Sequence, residues 1–374
     1  CILYLAADFM ELVCPAGSLP ALKAAVDNGA NAVYLGFRDA TNARNFAGLN
    51  FGMDEIRAGI RHARAAGAKV FIALNTYPRE THWSQWTEAA DRAANLGVDA
   101  VIIADMGLLR YCARHHPQLR RHLSVQASAT SHEAIGFYAR EFGVQRVVLP
   151  RVLSLQQVRQ VIAHSPVEVE VFGFGSLCIM VEGRCFLSSY VTGESPNTCG
   201  VCSPAKAVRW EEAGGTRRSR LNGVLIDVYA PGEPAGYPTL CKGRFAVQVR
   251  TNAVPYRDVE MPREGRSPER PGAGCAGAAD VAGEISYALE EPTSLNVLAI
   301  LPELMRAGVS AIKVEGRQRS PAYVAQAMRG LRAALDACQR DPDRYAPRAE
   351  WIAQLDKLAE GRQHTLGALD RAWQ

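Results

Sequence analysis

The chain has 374 residues, a formal net charge of +4, 48% apolar and 21% charged residues. That length suffices for one large domain with an insertion or for two modest domains, and the balance is ordinary for a globular protein. No lysine-rich tail or aromatic-basic interleaving marks a nucleic-acid binder, and no apolar run reaches the roughly 20 residues that cross a bilayer.

The opening "CILYLAADFM" lacks the basic flank of a secretory signal, so the protein reads as cytoplasmic. In that reducing compartment, clustered cysteines point to metal or redox chemistry rather than to disulfides. Cys1, Cys112, Cys275 and Cys338 lie apart from any cluster and read as small apolar residues.

From Met10 onward one grammar recurs: an Ala-rich helical run, a glycine, then a short β-branched run. It appears in "AAVDNGANAVYLG", "ARAAGAKVFIALN", "AANLGVDAVIIAD", "AREFGVQRVVLPR" and "LMRAGVSAIKVEG". Gly29, Gly67, Gly97, Gly143 and Gly308 stand where a helix needs a left-handed residue before the chain turns into a strand. With "MELVCPAG", "HLSVQAS" and "VEVEVFGFG", the pattern predicts strands near residues 10, 32, 69, 99, 122, 146, 168 and 311. Eight strand-helix units predict an α/β fold, a (β/α)8-type (TIM-like) barrel with a long cysteine-bearing insertion between strands seven and eight. Residues 10–172 carry strands one to seven, 173–309 the insertion, and 310–374 the last strand, its helix and a C-terminal segment. Within the insertion, residues 249–284 are rich in Gly, Pro and Arg and predict a flexible loop.

Such barrels carry their chemistry at the C-terminal ends of the strands. In this register those ends present Tyr34, Gly36, Asn75, Asp105, Gln126, Arg151, Glu170, Lys313, Glu315 and Arg317. Each competes with a plain capping or ion-pairing role, and Lys313, Glu315 and Arg317 read equally as a structural ionic rim. The loop after strand two offers Arg38, Asn42, Arg44, Asn45 and Asn50, donors suited to a small carboxylate.

The insertion opens on "GSLCIMVEGRCFLSSYVTGESPNTCGVC", which holds Cys178, Cys185, Cys199 and Cys202; Cys241 follows in "YPTLCKGRF". Cys199 and Cys202 form C-x-x-C, but no second pair completes a zinc knuckle and the flanks are too turn-rich for a thioredoxin-type helix. Uneven spacing from loops suits an iron-sulfur cube better than a fixed tetrahedral ion. Spacing alone leaves cluster, zinc and no metal open.

These stretches, with "NARNFAGLNF", "SVQASAT", "LEEPTSLN" and "IKVEGRQRSPAYV", resemble the oxygen-independent ubiquinone-biosynthesis (UbiU-type) branch of the collagenase-like peptidase family, from Met10 to the C-terminus. The resemblance implies a [4Fe-4S] cluster on Cys178, Cys185, Cys202 and Cys241, with Cys199 incidental or a substitute ligand. It implies a heterodimer with a UbiV-like, cluster-bearing partner. The implied reaction is hydroxylation of the ring of a ubiquinone precursor without dioxygen, with prephenate as oxygen donor. Residues 1–9, which precede the family's usual start at Met10 and so form an N-terminal extension, and a longer stretch over 249–284 depart from the family pattern.

A cluster with all four irons ligated serves electron transfer. The barrel rim then binds the small molecules, with Arg44, Asn75, Gln126 and Arg317 as substrate-binding residues and Asp105 and Glu315 as proton carriers. Three rivals stand beside this reading: hydroxylation of an RNA base, a non-catalytic cluster-carrying scaffold, and the peptidase of the family's name. For the last, "HEAIG" lacks a second zincin histidine and "GFGSL" is no nucleophile elbow.

Overall fold

A computed structural model describes residues 9–46, 48–178, 185–233, 235–246, 285–287 and 291–371. The N-terminal extension and the loop over 249–284 thus fall outside the described residues, apart from Phe9.

The first half alternates strand and helix. It runs β1 (Glu11–Pro15), α1 (Leu19–Asp27), β2 (Ala32–Leu35), α2 (Met53–Ala65), β3 (Lys69–Leu74), α3 (Trp83–Asn95), β4 (Ala100–Ile103), α4 (Met106–His115), β5 (Arg121–Leu123), α5 (His132–Phe142), β6 (Val144–Val148), α6 (Leu155–His164) and β7 (Glu168–Ser176). After β7 come the short helices α7 (Phe186–Thr192) and α8 (Pro196–Cys199) and an antiparallel sheet of β8 (Val208–Ala213), β9 (Thr216–Leu221) and β10 (Val224–Tyr229). A strand pair, β11 (Arg244–Ala246) with β12 (Ile285–Tyr287), precedes β13 (Ser294–Asn296), α9 (Leu301–Ala307) and β14 (Ala311–Val314). The chain ends with α10 (Pro321–Arg340), α11 (Ala349–Asp356) and β15 (His364–Thr365).

β1 to β7 pair in parallel in sequence order, and β14 pairs in parallel with both β1 and β7, closing an eight-stranded barrel. All eight expected strands are present, and the five glycines expected to end helices have φ between +61° and +90°. Helices pack outside by an apolar stripe: α10 buries Val324, Met328, Leu331 and Leu335 at the spacing one helical face requires. Among the described residues no helix is long and apolar enough to cross a membrane.

The bore of the barrel departs from the usual stack of branched apolar side chains. Its apolar contributors include Val13, Ala32, Tyr34, Phe71, Ala100, Ile102 and Ala311, and the small ones leave room for charge. Arg146 reaches Glu11 and Glu168 at 2.7 Å and Glu170 at 3.3 Å; Lys69 meets Glu11 at 2.5 Å, Arg120 meets Glu168 at 2.6 Å, and Lys313 meets Glu170 at 2.6 Å. Glu170, expected at a strand end, is instead the third residue of a longer β7 and fully buried.

Candidate active site at the C-terminal end of the barrel

Above this network, at the C-terminal ends of the strands, lies a cavity of about 910 Å³, part of it open to solvent. Arg44, Asn75, Gln126, Arg151, Glu315 and Arg317 line it from the barrel, while Cys178, Cys185 and Cys202 line it from the loops that follow β7. Ala73, Ile102, Val148 and Phe172 supply apolar wall.

Each polar residue is placed by the strand it follows. Asn75 is the first residue after β3; its Oδ1 accepts from the Ala43 amide at 2.9 Å, which fixes the loop carrying Arg44. That loop also packs directly on the end of α8. Gly200, at φ +82°, leaves no space for a Cβ, which would lie 3.0 Å from the Ala43 Cα, and its carbonyl accepts from the Arg44 amide at 2.8 Å. Arg317 is buried, donating from Nη1 to Asn42 Oδ1 at 2.8 Å and from Nη2 to the Ala43 carbonyl. Much of its fork is therefore spent holding the Arg44 loop.

Glu315 sits between two guanidiniums, Arg44 at 2.8 Å and Arg151 at 2.6 Å. Burial alone would raise its pKa, but Arg151 and Arg44 outweigh that and hold it at about 2. It is a fixed carboxylate, poorly suited to the proton-carrying role expected of it. Arg151 also lies over the Phe172 ring, 4.1 Å from its centroid. Asp105 does not line the cavity. It caps α4, its Oδ1 accepting from the Leu108 amide at 2.8 Å, a contact that accounts for its place at the end of a strand.

Gln126 is 4% exposed and lines the cavity, and its Oε1 has no hydrogen-bond partner among the described residues. A buried acceptor left open costs on the order of 1–3 kcal/mol, and a ligand donor in the cavity would relieve it. Lys313 lies one strand layer deeper, 4.2 Å from the centroid of the Tyr34 ring. Burial lowers its pKa, Glu170 opposes the change, and Arg146 and Arg317 add to it.

The cysteines come from three connections, Cys178 and Cys185 sharing the one between β7 and α7. Cys178 lies two residues beyond β7, Cys185 is the N-cap of α7, Cys202 follows α8, and Cys241 belongs to the 3-10 turn Leu240–Lys242. Cys185, Cys202 and Cys241 are close enough for their charges to act on one another. Burial raises the Cys202 thiol and Arg44 pulls it back; burial likewise raises Cys241, opposed by Thr239 and Lys242. No disulfide joins any of the described cysteines. Cys199 points elsewhere, accepting from Arg79 Nη2 at 3.6 Å, and does not line the cavity.

Among the described residues no three His, Cys, Asp or Glu side chains converge on the single point that one tetrahedral ion needs. A four-iron cube asks for something wider, one thiolate at each of four corners, with positive charge near the sulfurs. Cys178, Cys185 and Cys202 line the cavity beside Arg44 and Cys241 lies near Cys185 and Cys202, so these are the residues that could hold such a group.

One support of the site has no counterpart among the expected residues. Lys242, next to Cys241, is buried and pairs with buried Glu360 at 2.5 Å, and its Nζ also donates to Ser176 Oγ at 3.2 Å. Arg319 meets the other Glu360 oxygen at 3.1 Å. The turn carrying Cys241 is thereby tied to the end of β7 and to the C-terminal segment.

A profile of Peptidase family U32 matches residues 17–369. The chain is 28% identical over 352 residues to tRNA hydroxylation protein P1 of Bacillus subtilis, covering 93% of this chain and 68% of that protein. It is 31% identical over 329 residues to tRNA hydroxylation protein P of Escherichia coli, covering 87% of this chain and 68% of that one. Of solved structures, the U32 peptidase Mk0906 aligns with 45% of this chain and 70% of its own at 15% identity and a TM-score of 0.39. With the match running through nearly all of the barrel and the cysteine loops, the chain belongs to peptidase family U32.

Proposed function

We propose that the chain is an iron-sulfur hydroxylase subunit that acts without dioxygen on the ring of a ubiquinone precursor, with a UbiV-like partner and a carboxylate-bearing oxygen donor such as prephenate. The observation that carries this reading is that Cys178, Cys185 and Cys202, with Cys241 close to the last two, meet a cavity where three guanidiniums, Arg44, Arg151 and Arg317, face a single carboxylate, Glu315. Such an excess of buried positive charge calls for anions, which thiolates on one side and a carboxylate ligand on the other supply.

A [4Fe-4S] cluster on Cys178, Cys185, Cys202 and Cys241 would supply one-electron transfer when bound. The chain's own residues do the rest. Arg44 and Arg151, aimed by Glu315, bind the donor carboxylate; Arg317 holds the Arg44 loop in place. Gln126 Oε1 accepts a hydroxyl or N–H of the acceptor ring, and Ile102, Val148 and Phe172 keep the ring's faces dry.

The names of the relatives favour a second reading, hydroxylation of an RNA base in the same cavity. One experiment separates the two. The protein is purified anaerobically, its iron and sulfide are measured, and it is incubated with prephenate and either the quinone precursor plus partner or total RNA. Hydroxylated precursor supports the first reading, hydroxylated nucleosides the second. Stoichiometric zinc in place of iron and sulfide would end both.

A further inference from the structure

The bore network and the cavity meet at one side chain. Of the network's charges, Lys69 and Arg120 reach solvent, whereas Glu170, Arg146 and Lys313 are buried and Glu11 nearly so, and the interior balances with Lys313 as an ammonium on Glu170. Burial, Arg146 and Arg317 favour loss of its proton; Glu170, 2.6 Å away, opposes that loss and is the carboxylate placed to take the proton.

We propose that Lys313 is a nucleophilic amine that condenses with the carbonyl of a 2-oxo acid bound in the cavity. Its Nζ is buried, lines the cavity, and is backed by Glu170 Oε1 at 2.6 Å. A lysine desolvated beside other cations is the setting in which an amine becomes a nucleophile. The carboxylate has its own receptor, because Arg44 and Arg151 line the same cavity as Lys313. The residue type is itself informative. The chain has six lysines against thirty-six arginines, and every other buried cation lining the cavity is an arginine. A guanidinium would serve an ion pair with Glu170, but it cannot form an imine.

The step balances without an oxidant. The nitrogen attacks the carbonyl carbon and a C=N bond replaces C=O. Two of the three ammonium protons leave with the carbonyl oxygen as water, one of them by way of Glu170, and the product is a protonated imine. The consequence is that the oxo acid is held covalently, by a bond water can later reverse.

This inference rests on the carboxylate-binding reading of the cavity, and its test separates the two. The full chain, purified anaerobically, is incubated with pyruvate or 2-oxoglutarate and sodium borohydride, then digested and analysed by mass spectrometry. Binding of the same acids is followed in parallel by calorimetry. The expected result is one reduced adduct, on the peptide holding Lys313, absent from K313R and K313M while their circular dichroism stays native. K313R still binds the acids, because its charge is kept. Binding with no adduct from either acid overturns the imine and leaves the carboxylate site standing. Adducts spread over Lys23, Lys69 and Lys357 as heavily as over Lys313 overturn it equally. Neither binding nor adduct removes both.

Discussion

Glu315 decides whether the cavity is a clamp or a proton channel, and replacing it with glutamine tells the two apart. Glutamine keeps the shape and one acceptor while removing the charge that Arg44 and Arg151 share at 2.8 and 2.6 Å. A free glutamate titrates at 4.5 and this one at about 2, so its ionised form contributes about 3 kcal/mol to the folded state. The carboxyl is 10% exposed, and solvent screening takes little from that figure. Because the folded pKa is the depressed one, the contribution is complete above 4.5 and is lost as pH falls toward 2. The E315Q variant should therefore unfold in urea about 3 kcal/mol more easily than the parent, by the same margin at every pH from 5 to 8. The margin should narrow only below pH 4.5. A margin under about 1 kcal/mol would fall within the ordinary effect of a surface substitution and refute the clamp. So would a margin that changes between pH 6 and 8, because it would place the titration where a working acid or base needs it.

Three further outcomes are expected. Single alanine replacements of Cys178, Cys185, Cys202 and Cys241 should each lower iron and sulfide per chain, whereas C199A should retain them, as measured by colorimetric assay after anaerobic purification. Removing Lys242 leaves Glu360 buried with Arg319 alone, so K242M should destabilise the fold by about 3 kcal/mol and loosen iron retention; the K242M/E360M double variant should recover stability in urea titrations. Q126L removes an open buried acceptor, so it should leave stability unchanged or raise it while weakening binding of the ring substrate by about 1–2 kcal/mol, roughly five- to thirty-fold by calorimetry.

The parts of the fold that were legible in the sequence are those set by neighbours along the chain. Gly29 and Gly143 announce helix ends because the left-handed geometry they supply is needed within a residue or two, and the apolar runs beside them announce strands for the same local reason. Strand order then located Arg44, Asn75, Gln126, Glu315 and Arg317 around one cavity. Asp105 shows the limit of that logic: the end of a strand is also the start of a helix, and a carboxylate there satisfies either demand. Glu315 shows another, since its two arginines lie 271 and 164 residues away and turn a candidate acid into a permanent anion. The pairing of Glu11 with Arg146, separated by 135 residues, exists only once the barrel has closed. Lys242 sits in the stretch that carries Cys241, but nothing local tells that its partner is Glu360, 118 residues away.

The position of β14 also sets an order of events. The first and seventh strands both keep unpaired edges until Ala311–Val314 arrives, and the whole cysteine-bearing stretch leaves the ribosome before that happens. A chain arrested anywhere in between is an open seven-strand sheet with its acidic and basic bore residues bared to water, prone to pair edge to edge with a neighbour.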